Sequence, residues 1–272
     1  MLGAMIGDIA GSRFEFDRSP KTVDGYEIFG EGCYFTDDTV MTAGVAEGLM
    51  DAGKDADAET IRKCVVRSMR KYGQRYPGAG YGGRFFSWVL GPEEEAKPYN
   101  SFGNGSAMRA SAAGWLYDSL ERTREAARAT AEVSHNHPEG IKGAESVAAA
   151  IYMARTGSTK EEIRTYVEQE FGYDLSRTCD EIRPSYNHVE SCQETVPQAF
   201  AAFLEGDSFE GVVRLAISLG GDCDTLTDIA AAMAEAFFGV DPAMEEKALT
   251  YLAEDLKKVY ERFQKEKKPV RK

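Results

Sequence analysis

Two short acidic segments, which lie far apart in the chain, carry the residue types best suited to chemistry. One is FTDDT at Phe35–Thr39, and the other is GGDCDT at Gly220–Thr225. Each segment puts two carboxylates and a threonine hydroxyl within a few residues. Oxygen donors without thiolate or imidazole are the ligands that Mg²⁺, Mn²⁺ and Ca²⁺ take. If the two segments meet in the fold, four carboxylates converge, and their charges then require cations for balance.

Both segments are predicted to open a helix, because apolar residues follow each of them at roughly helical spacing. These residues are Val40, Met41, Val45 and Leu49 after the first segment, and Leu226, Ile229, Met233, Phe237 and Phe238 after the second. Asp and Thr are also the preferred residues at helix N-termini, so each segment alone could be only a cap. The duplication at both ends of the chain favours a site, as does the pair Gly220 and Gly221, which permits a sharp bend before Asp222.

A helix entry at the start of the chain is expected to support the first acidic segment. Gly3, Gly7 and Gly11 recur every four residues and form a small-residue stripe that allows another helix to approach closely. Asp8 and Glu15 are two helical turns apart, so both carboxylates could face the same side. The alternative is that Asp8 only caps a helix or forms a pair within the core.

Two glycine-rich loops and a histidine pair are further candidates for ligand contacts. The loop at 76–83 carries four glycines and two tyrosines, and it could cover a ligand or be a plain connector. Ser101–Arg109, SFGNGSAMR, is a turn leading into a helix, where backbone N–H groups can hold phosphate; GNG is also an ordinary turn. Arg109 could reach an anion or pair with an acid. His135 and His137 could bind a metal, transfer protons, contact a ligand or cap a helix.

No stretch shows sustained alternation of apolar and polar residues, so the fold class is predicted to be all-α, with roughly ten or more helices. One domain is expected over 1–266, followed by a frayed tail at 267–272. The other predicted helices are Ala58–Tyr72, a small-residue helix running to about Tyr117, Glu121–Val133, Glu139–Ala154, Thr159–Glu170, Val196–Leu204, Phe209–Leu219 and Met244–Lys265.

Composition excludes several classes of partner. A formal net charge of −13 argues against non-specific binding to nucleic acid or an anionic membrane, and no apolar run reaches the ~20 residues of a membrane span. Five cysteines without a CxxC pair or a signal peptide predict reduced thiols in the cytoplasm. A zinc site at Cys179, His188 and Cys192 is a minor alternative, since zinc ligands usually come in tight pairs.

Four motifs in this order resemble the ADP-ribosylglycohydrolase family, which includes the ADP-ribosylarginine hydrolases and the dinitrogenase reductase-activating glycohydrolase. They are GDIAGSRFE at 7–15, FTDDT at 35–39, GNGSAMR at 103–109 and GGDCDT at 220–225, and the resemblance spans about residues 1–240. It implies a compact all-α orthogonal bundle with two Mg²⁺ ions, or Mn²⁺ as the alternative, in a binuclear metal cleft.

The resemblance also implies roles for individual residues. The metal ligands are expected to be Thr36, Asp37, Asp38, Asp222, Asp224 and Thr225. The catalytic carboxylates that could take a proton from water are expected to be Asp37, Asp38 and Glu15. Substrate contacts are expected from Ser101, Phe102, Gly103, Asn104 and Gly105, which match a pyrophosphate-binding loop, and from His135 and Tyr81. Cys223 departs from the family pattern, where threonine or serine is common; its side chain can point away, although oxidation is a concern.

The predicted activity is metal-dependent hydrolysis that removes ADP-ribose from a modified side chain of a protein or small molecule. An N-glycosidic bond to arginine is favoured, with an O-glycosidic bond to serine as the alternative. Two other functions remain open: a catalytically silent ADP-ribose-binding protein, and a two-metal phosphoesterase that cleaves a nucleotide pyrophosphate. A monomer is favoured.

Overall fold

The computed structural model describes residues 1–16 and 18–270, so Asp17, Arg271 and Lys272 lie outside the described residues. These residues form helices and loops, and the β pairing described among them is one isolated bridge between Gly103 and Ser191. The all-α prediction is therefore confirmed. The α-helices are α1 Leu2–Gly11, α2 Asp37–Ala52, α3 Ala58–Arg75, α4 Gly83–Leu90, α5 Gly105–Met108, α6 Ser111–Leu116, α7 Leu120–Glu132, α8 Pro138–Arg155, α9 Lys160–Phe171, α10 Cys179–Ile182, α11 Cys192–Glu205, α12 Phe209–Leu219, α13 Cys223–Phe238, α14 Pro242–Leu249 and α15 Glu254–Glu266.

The centre of the bundle is the pair formed by α1 and α13, which come from opposite ends of the chain. Every residue of α1 is buried. A Cβ added at Gly3 would lie 2.2 Å from the Ala231 carbonyl oxygen, and one at Gly7 would lie 2.3 Å from that of Thr227. At Gly11 it would lie 2.6 Å from the Asp224 Cα. The small-residue stripe is thus confirmed as a close helix contact, and it brings the end of α1 to the start of α13.

Asp8 on α1 also holds the start of α2. Its carboxylate accepts hydrogen bonds from the Thr36 backbone N–H at 2.9 Å, the Thr36 hydroxyl at 2.7 Å and the Thr39 N–H at 3.0 Å. The Thr36 hydroxyl in turn caps α2 by accepting from the Asp38 N–H. Asp8 therefore has the capping role that the sequence left as an alternative, and it fixes the first acidic segment against the α1–α13 pair.

Two predicted helices are broken where a single helix was expected. The segment expected to run to about Tyr117 forms α5 and α6, which Arg109 and Ala110 separate. The prediction of one helix over Met244–Lys265 is wrong, because it is divided into α14 and α15. Thr250 ends α14 with its hydroxyl bonded to the Lys247 carbonyl at 2.7 Å. Acidic residues in the first turn of α15 interact favourably with the dipole of that helix.

The beginning of the C-terminal tail contacts the body of the protein. The Lys268 backbone N–H donates to the Trp115 carbonyl at 2.9 Å, and its ammonium pairs with Asp118 at 2.8 Å. Among the described residues, none of the helices combines the length and the apolar character that a membrane crossing requires.

Candidate active site

The starts of α2 and α13 meet at one cavity of about 370 Å³, although more than 180 residues separate them in the chain. Five loops contribute to its walls: the one after α1 and the loops before α4, α5, α8 and α11. The predicted site residues that line this cavity are Glu15, Asp37, Asp38, Ser101, Gly103, Asn104, Gly105, His135, Asp222, Asp224 and Thr225. The fold thus brings together most of the site residues that the sequence indicated.

The acidic end of the cavity has the donors that a hard cation requires. One carboxylate oxygen from each of Glu15, Asp222 and Asp224 lies within 4.8 Å of the others. Asp37 and Asp38 line the same cavity, and one oxygen of Asp38 is buried without a hydrogen-bond partner among the described residues. All these donors are oxygen atoms, and a buried carboxylate oxygen without a partner is costly unless a ligand or proton satisfies it. The residues present therefore fit Mg²⁺ or Mn²⁺.

Crowding of these carboxylates raises their pKa values in the metal-free protein. Burial, followed by the charges of Asp8 and Asp222, raises the pKa of Asp37 to about 8. Burial and then the charge of Asp222 raise the pKa of Glu15 to about 7. The same two causes hold the pKa of Asp224 well above its usual range. Without cations the cluster therefore retains protons that divalent ions would displace.

A pH dependence of stability follows for the metal-free protein. A carboxyl group whose pKa is higher in the folded protein than in the unfolded chain stabilises the fold at low pH, where it is protonated in both states. This stabilisation begins to be lost above the pKa of the unfolded chain, at about pH 4, and the loss continues until the pH passes the pKa of the folded protein. For Glu15 and Asp37 that loss extends to about pH 7 and about pH 8. We expect the melting temperature of the metal-free protein to fall across this window, and the gain on adding Mg²⁺ to grow with pH. Thermal denaturation with EDTA or Mg²⁺ measures both, and an equal Mg²⁺ gain at both ends of the window would contradict the prediction.

The two predicted threonine ligands differ in position. Thr225 lines the cavity, and its backbone N–H donates to an Asp224 oxygen at 3.0 Å. Thr36 is buried outside the described lining, and its hydroxyl already donates to Asp8 and accepts from the Asp38 N–H. Thr36 therefore acts in this structure as the cap that orients the two aspartates, and its role as a metal ligand remains a prediction.

The loop Ser101–Gly105 is joined directly to the acidic cluster through Asn104. The Asn104 side-chain amide donates to an Asp222 oxygen at 2.6 Å and to the Thr195 hydroxyl at 3.2 Å. The backbone N–H of Asn104 donates to the Glu190 carbonyl at 2.9 Å. The Gly103 N–H donates to the Ser101 hydroxyl at 3.1 Å. These two N–H groups therefore stabilise the loop itself, and Asn104 holds Asp222 in place.

His135 lies beside this loop and is held neutral. Burial, and then the charge of Arg109, lower the pKa of His135 well below its usual range. Arg109 donates to the Ser134 hydroxyl at 2.9 Å, and that oxygen lies 2.8 Å from His135 Nδ1. We assign the Ser134 proton to the bond with Nδ1, which makes Nε2 the protonated donor of the ring. Arg109, one candidate for an anion contact, lines the cavity but donates to the Gly105 carbonyl and to Ser134.

Phe102 and Tyr81 lie outside the described lining of the cavity. Phe102 is exposed and packs against His137, with 5.4 Å between ring centroids. Tyr81 is buried against Phe85, and its hydroxyl has no described hydrogen-bond partner. The neighbouring Gly80, Gly82 and Gly83 line the cavity instead. The loop also meets the acidic segment directly, because the Asp37 N–H donates to the Ala79 carbonyl at 2.9 Å.

Several lining residues had no signal in the sequence. Phe16 and Glu190 border the acidic end, and neither belongs to a motif. The cavity is also lined by Arg84, Phe85 and Tyr99, near the loop Ser101–Gly105. The Arg84 guanidinium lies 4.6 Å from the Tyr99 ring centroid. An aromatic at the start of a helix is usually core, so the sequence alone could not separate these residues from packing residues.

The cysteines take no part in the cavity. Cys223 is fully buried with its sulfur 3.8 Å from the Ile217 carbonyl, so its side chain does point away, and burial raises the pKa of its thiol. A buried protonated thiol is a poor target for oxidation, so Cys223 is protected in the folded protein. Cys179 and Cys192 are also buried. Among the described residues, the cluster whose side chains are close enough to hold a metal ion is Glu15, Asp222 and Asp224, and it includes none of Cys179, His188 and Cys192.

The fold class is that of known ADP-ribosylglycohydrolases. A solved structure described as an ADP-ribosylglycohydrolase-related protein complex superposes with a TM-score of 0.71 at 22% identity, over 97% of this chain and 96% of that chain. The sequence model of the ADP-ribosylglycohydrolase family matches residues 1–269. The chain therefore belongs to the ADP-ribosylglycohydrolase family, which confirms the resemblance and the predicted enzyme class.

Curated relatives match over most of their length. The human protein ADP-ribosylhydrolase ARH3 is 26% identical over 90% of this chain and 86% of its own length. ADP-ribosylarginine hydrolase Tri1 of Pseudomonas putida (strain GB-1) is 27% identical over 88% of this chain and 70% of its own length. The prediction that the protein is an ADP-ribosyl hydrolase is therefore confirmed.

Proposed function

We propose that this protein hydrolyses the bond between C1″ of ADP-ribose and a modified arginine side chain in a Mg²⁺-dependent reaction. The observation that carries the proposal is the convergence of six carboxylates, five of them predicted site residues, on the cavity that also contains the loop Ser101–Gly105 and His135. The name of the Pseudomonas relative supports arginine. The acidic character of the cavity also suits a substrate whose linked side chain is cationic.

Two Mg²⁺ ions, or Mn²⁺ as the alternative, are proposed as cofactors. The residues that would hold them are Asp37, Asp38, Asp222, Asp224 and Thr225, with Thr36 and Glu15 adjacent. When bound, such ions stabilise developing negative charge and make water a stronger nucleophile at neutral pH. The unpartnered oxygen of Asp38 and the close grouping of Glu15, Asp222 and Asp224 support this assignment.

The chain's own groups have distinct tasks in the proposed reaction. Cleavage of a glycosidic bond builds positive charge on the ribose ring, which the surrounding carboxylates stabilise. Glu15 can accept the proton of the attacking water, because its carboxylate is only partly buried and faces the cavity next to Asp222 and Asp224. Asp37 and Asp38 are the other candidates for this proton. Neutral His135 can donate a hydrogen bond to the bound ADP-ribose from Nε2.

A product assay tests the proposed function. The protein is incubated with ADP-ribosyl-arginine or an ADP-ribosyl-serine peptide, with Mg²⁺ or with EDTA, and the products are separated by chromatography. We expect ADP-ribose and free arginine in the presence of Mg²⁺ only. AMP and a ribose phosphate that is still linked to arginine or serine would indicate the phosphoesterase instead. ADP-ribose binding without turnover would indicate the binding protein, and full activity in EDTA would contradict the metal assignment.

Three further features belong to the same proposal. The substrate partner is an ADP-ribosylated protein or small molecule. The chain is proposed to act as a monomer with one catalytic domain over 1–266. The cytoplasm is the proposed compartment, which is consistent with five free cysteine thiols.

A further inference from the structure

We propose that Phe16, His188 and Glu190 form a subsite at the acidic end of the cavity that binds the guanidinium of ADP-ribosylated arginine. We refer to these three residues as the guanidinium subsite. The inference rests on the proposed function and specifies its substrate class. It assigns the selection of arginine over serine to residues outside the carboxylate cluster and outside the four motifs.

Phe16 presents an aromatic ring to solvent at the edge of the cavity. Its side chain is 61% exposed, it follows Glu15 directly, and it lines the cavity. Ligand cavities are commonly lined by aromatic side chains, and this ring is accessible to a ligand in the cavity. The ring already attracts one guanidinium, because the Arg18 guanidinium carbon lies 5.6 Å from its centroid. The face of an aromatic ring attracts cations through its quadrupole, so this position suits a second guanidinium from a substrate.

His188 joins this ring to a carboxylate. The His188 and Phe16 ring centroids are 5.2 Å apart with an angle of 30° between the planes, which is a tilted stack. On its other side, His188 Nε2 lies 3.1 Å from Glu190 Oε1. His188 therefore connects the loop after α1 to the loop before α11 and fixes the ring and the carboxylate on one wall.

Glu190 supplies the negative charge of the subsite. It lines the cavity, and its side chain is 69% exposed, so the carboxylate is open to a ligand from solvent. Its backbone carbonyl accepts the Asn104 N–H at 2.9 Å, and the Asn104 side chain in turn donates to Asp222. Glu190 is thus anchored next to the predicted metal-binding end of the cavity. Guanidinium matches a carboxylate through paired N–H donors, which the neutral O-glycoside of serine cannot provide.

The test compares two substrates in two variants. Glu190→Gln removes the charge while keeping the shape, and Phe16→Leu removes the aromatic face while keeping an apolar side chain. For each variant, KM and kcat are measured with ADP-ribosyl-arginine and with an ADP-ribosyl-serine peptide. We expect the KM for the arginine substrate to rise about fivefold relative to the KM for the serine substrate, with the effect in KM rather than kcat. Glu161→Gln, at an 80% exposed position on α9, is the matched control and should change neither ratio.

A salt series adds a second readout. Raising the ionic strength should weaken binding of the arginine substrate to the natural protein, because salt screens the attraction between the Glu190 carboxylate and the guanidinium. The effect should be smaller in Glu190→Gln, which lacks that carboxylate. An equal change for both substrates, or no change in either variant, would overturn the subsite.

Failure of the proposed function gives a separate result. If the natural protein hydrolyses neither substrate, titration calorimetry with intact ADP-ribosyl-arginine and with ADP-ribose decides the inference. Tighter binding of the arginine conjugate, lost in Glu190→Gln, would support the subsite in a protein without the proposed activity. Equal affinities for the two ligands would overturn it.

Discussion

Replacing Asp222 or Asp37 with alanine is expected to lower turnover of an ADP-ribosyl substrate by at least about 10³-fold. The reason is that bound divalent ions supply several kcal/mol of transition-state stabilisation, and each 1.4 kcal/mol or so corresponds to a tenfold change in rate. Asp222 belongs to the group whose oxygens lie within 4.8 Å, and Asp37 lines the same cavity. Rates measured under saturating substrate, together with Mg²⁺ binding by calorimetry, should show activity and metal affinity falling together.

A matched control separates this effect from unfolding. Asp180→Ala removes the same side chain at an 88% exposed position and should retain full activity. At neutral pH the metal-free Asp37→Ala protein should melt no lower than the natural protein, since burial and the charges of Asp8 and Asp222 keep a proton on Asp37 at a cost in stability. Near-normal turnover by both site variants would show that the carboxylate cluster is not required for the reaction, which would contradict the prediction.

Replacing Gly7 with alanine is expected to destabilise the protein by at least about 3 kcal/mol, which lowers the melting temperature by roughly 6–12 °C. The added Cβ would lie 2.3 Å from the Thr227 carbonyl oxygen and 2.5 Å from the Asp228 nitrogen, so α1 and α13 must separate. A backbone cannot yield as a flexible side chain does, and every residue of α1 loses packing. Because this helix pair aligns Glu15 with Asp224, activity should fall as well.

The control for this prediction is Gly78→Ala. A Cβ at Gly78 would meet no atom within 4 Å, so the same chemical change should leave the melting temperature nearly constant. Calorimetric or circular-dichroism melting of both variants measures the difference. If Gly7→Ala melted within a degree or two of Gly78→Ala, the close approach of α1 and α13 would be contradicted.

The parts of the site that could be predicted from the sequence are those with a local physical signature. Asp222 and Asp224 follow a Gly-Gly bend at the start of a helix. A few residues are therefore enough to predict both their backbone conformation and their suitability as ligands, and both lie where this pattern predicts. The glycine stripe of α1 was equally informative, because only a close partner explains glycine at every fourth helical position.

The remaining features depend on contacts that are distant in the chain. The role of Thr36 as a cap bonded to Asp8 comes from tertiary packing, and an isolated TDD sequence cannot distinguish a cap from a ligand. Phe16 and Glu190 belong to no motif, and they are linked only through their separate contacts with His188. The break between α14 and α15 was missed because the apolar spacing continues across it, while the Thr250 hydroxyl ends the first helix.

The most direct measurement is a crystal structure of the protein grown with Mn²⁺ and recorded at the manganese absorption edge. Two anomalous peaks are predicted in the cavity, within ligand distance of oxygen atoms from Asp37 or Asp38 on one side and from Asp222 or Asp224 on the other. Peaks elsewhere on the molecule, or a cavity that stays empty of manganese while ADP-ribosyl-arginine is still hydrolysed in EDTA, would contradict the binuclear assignment.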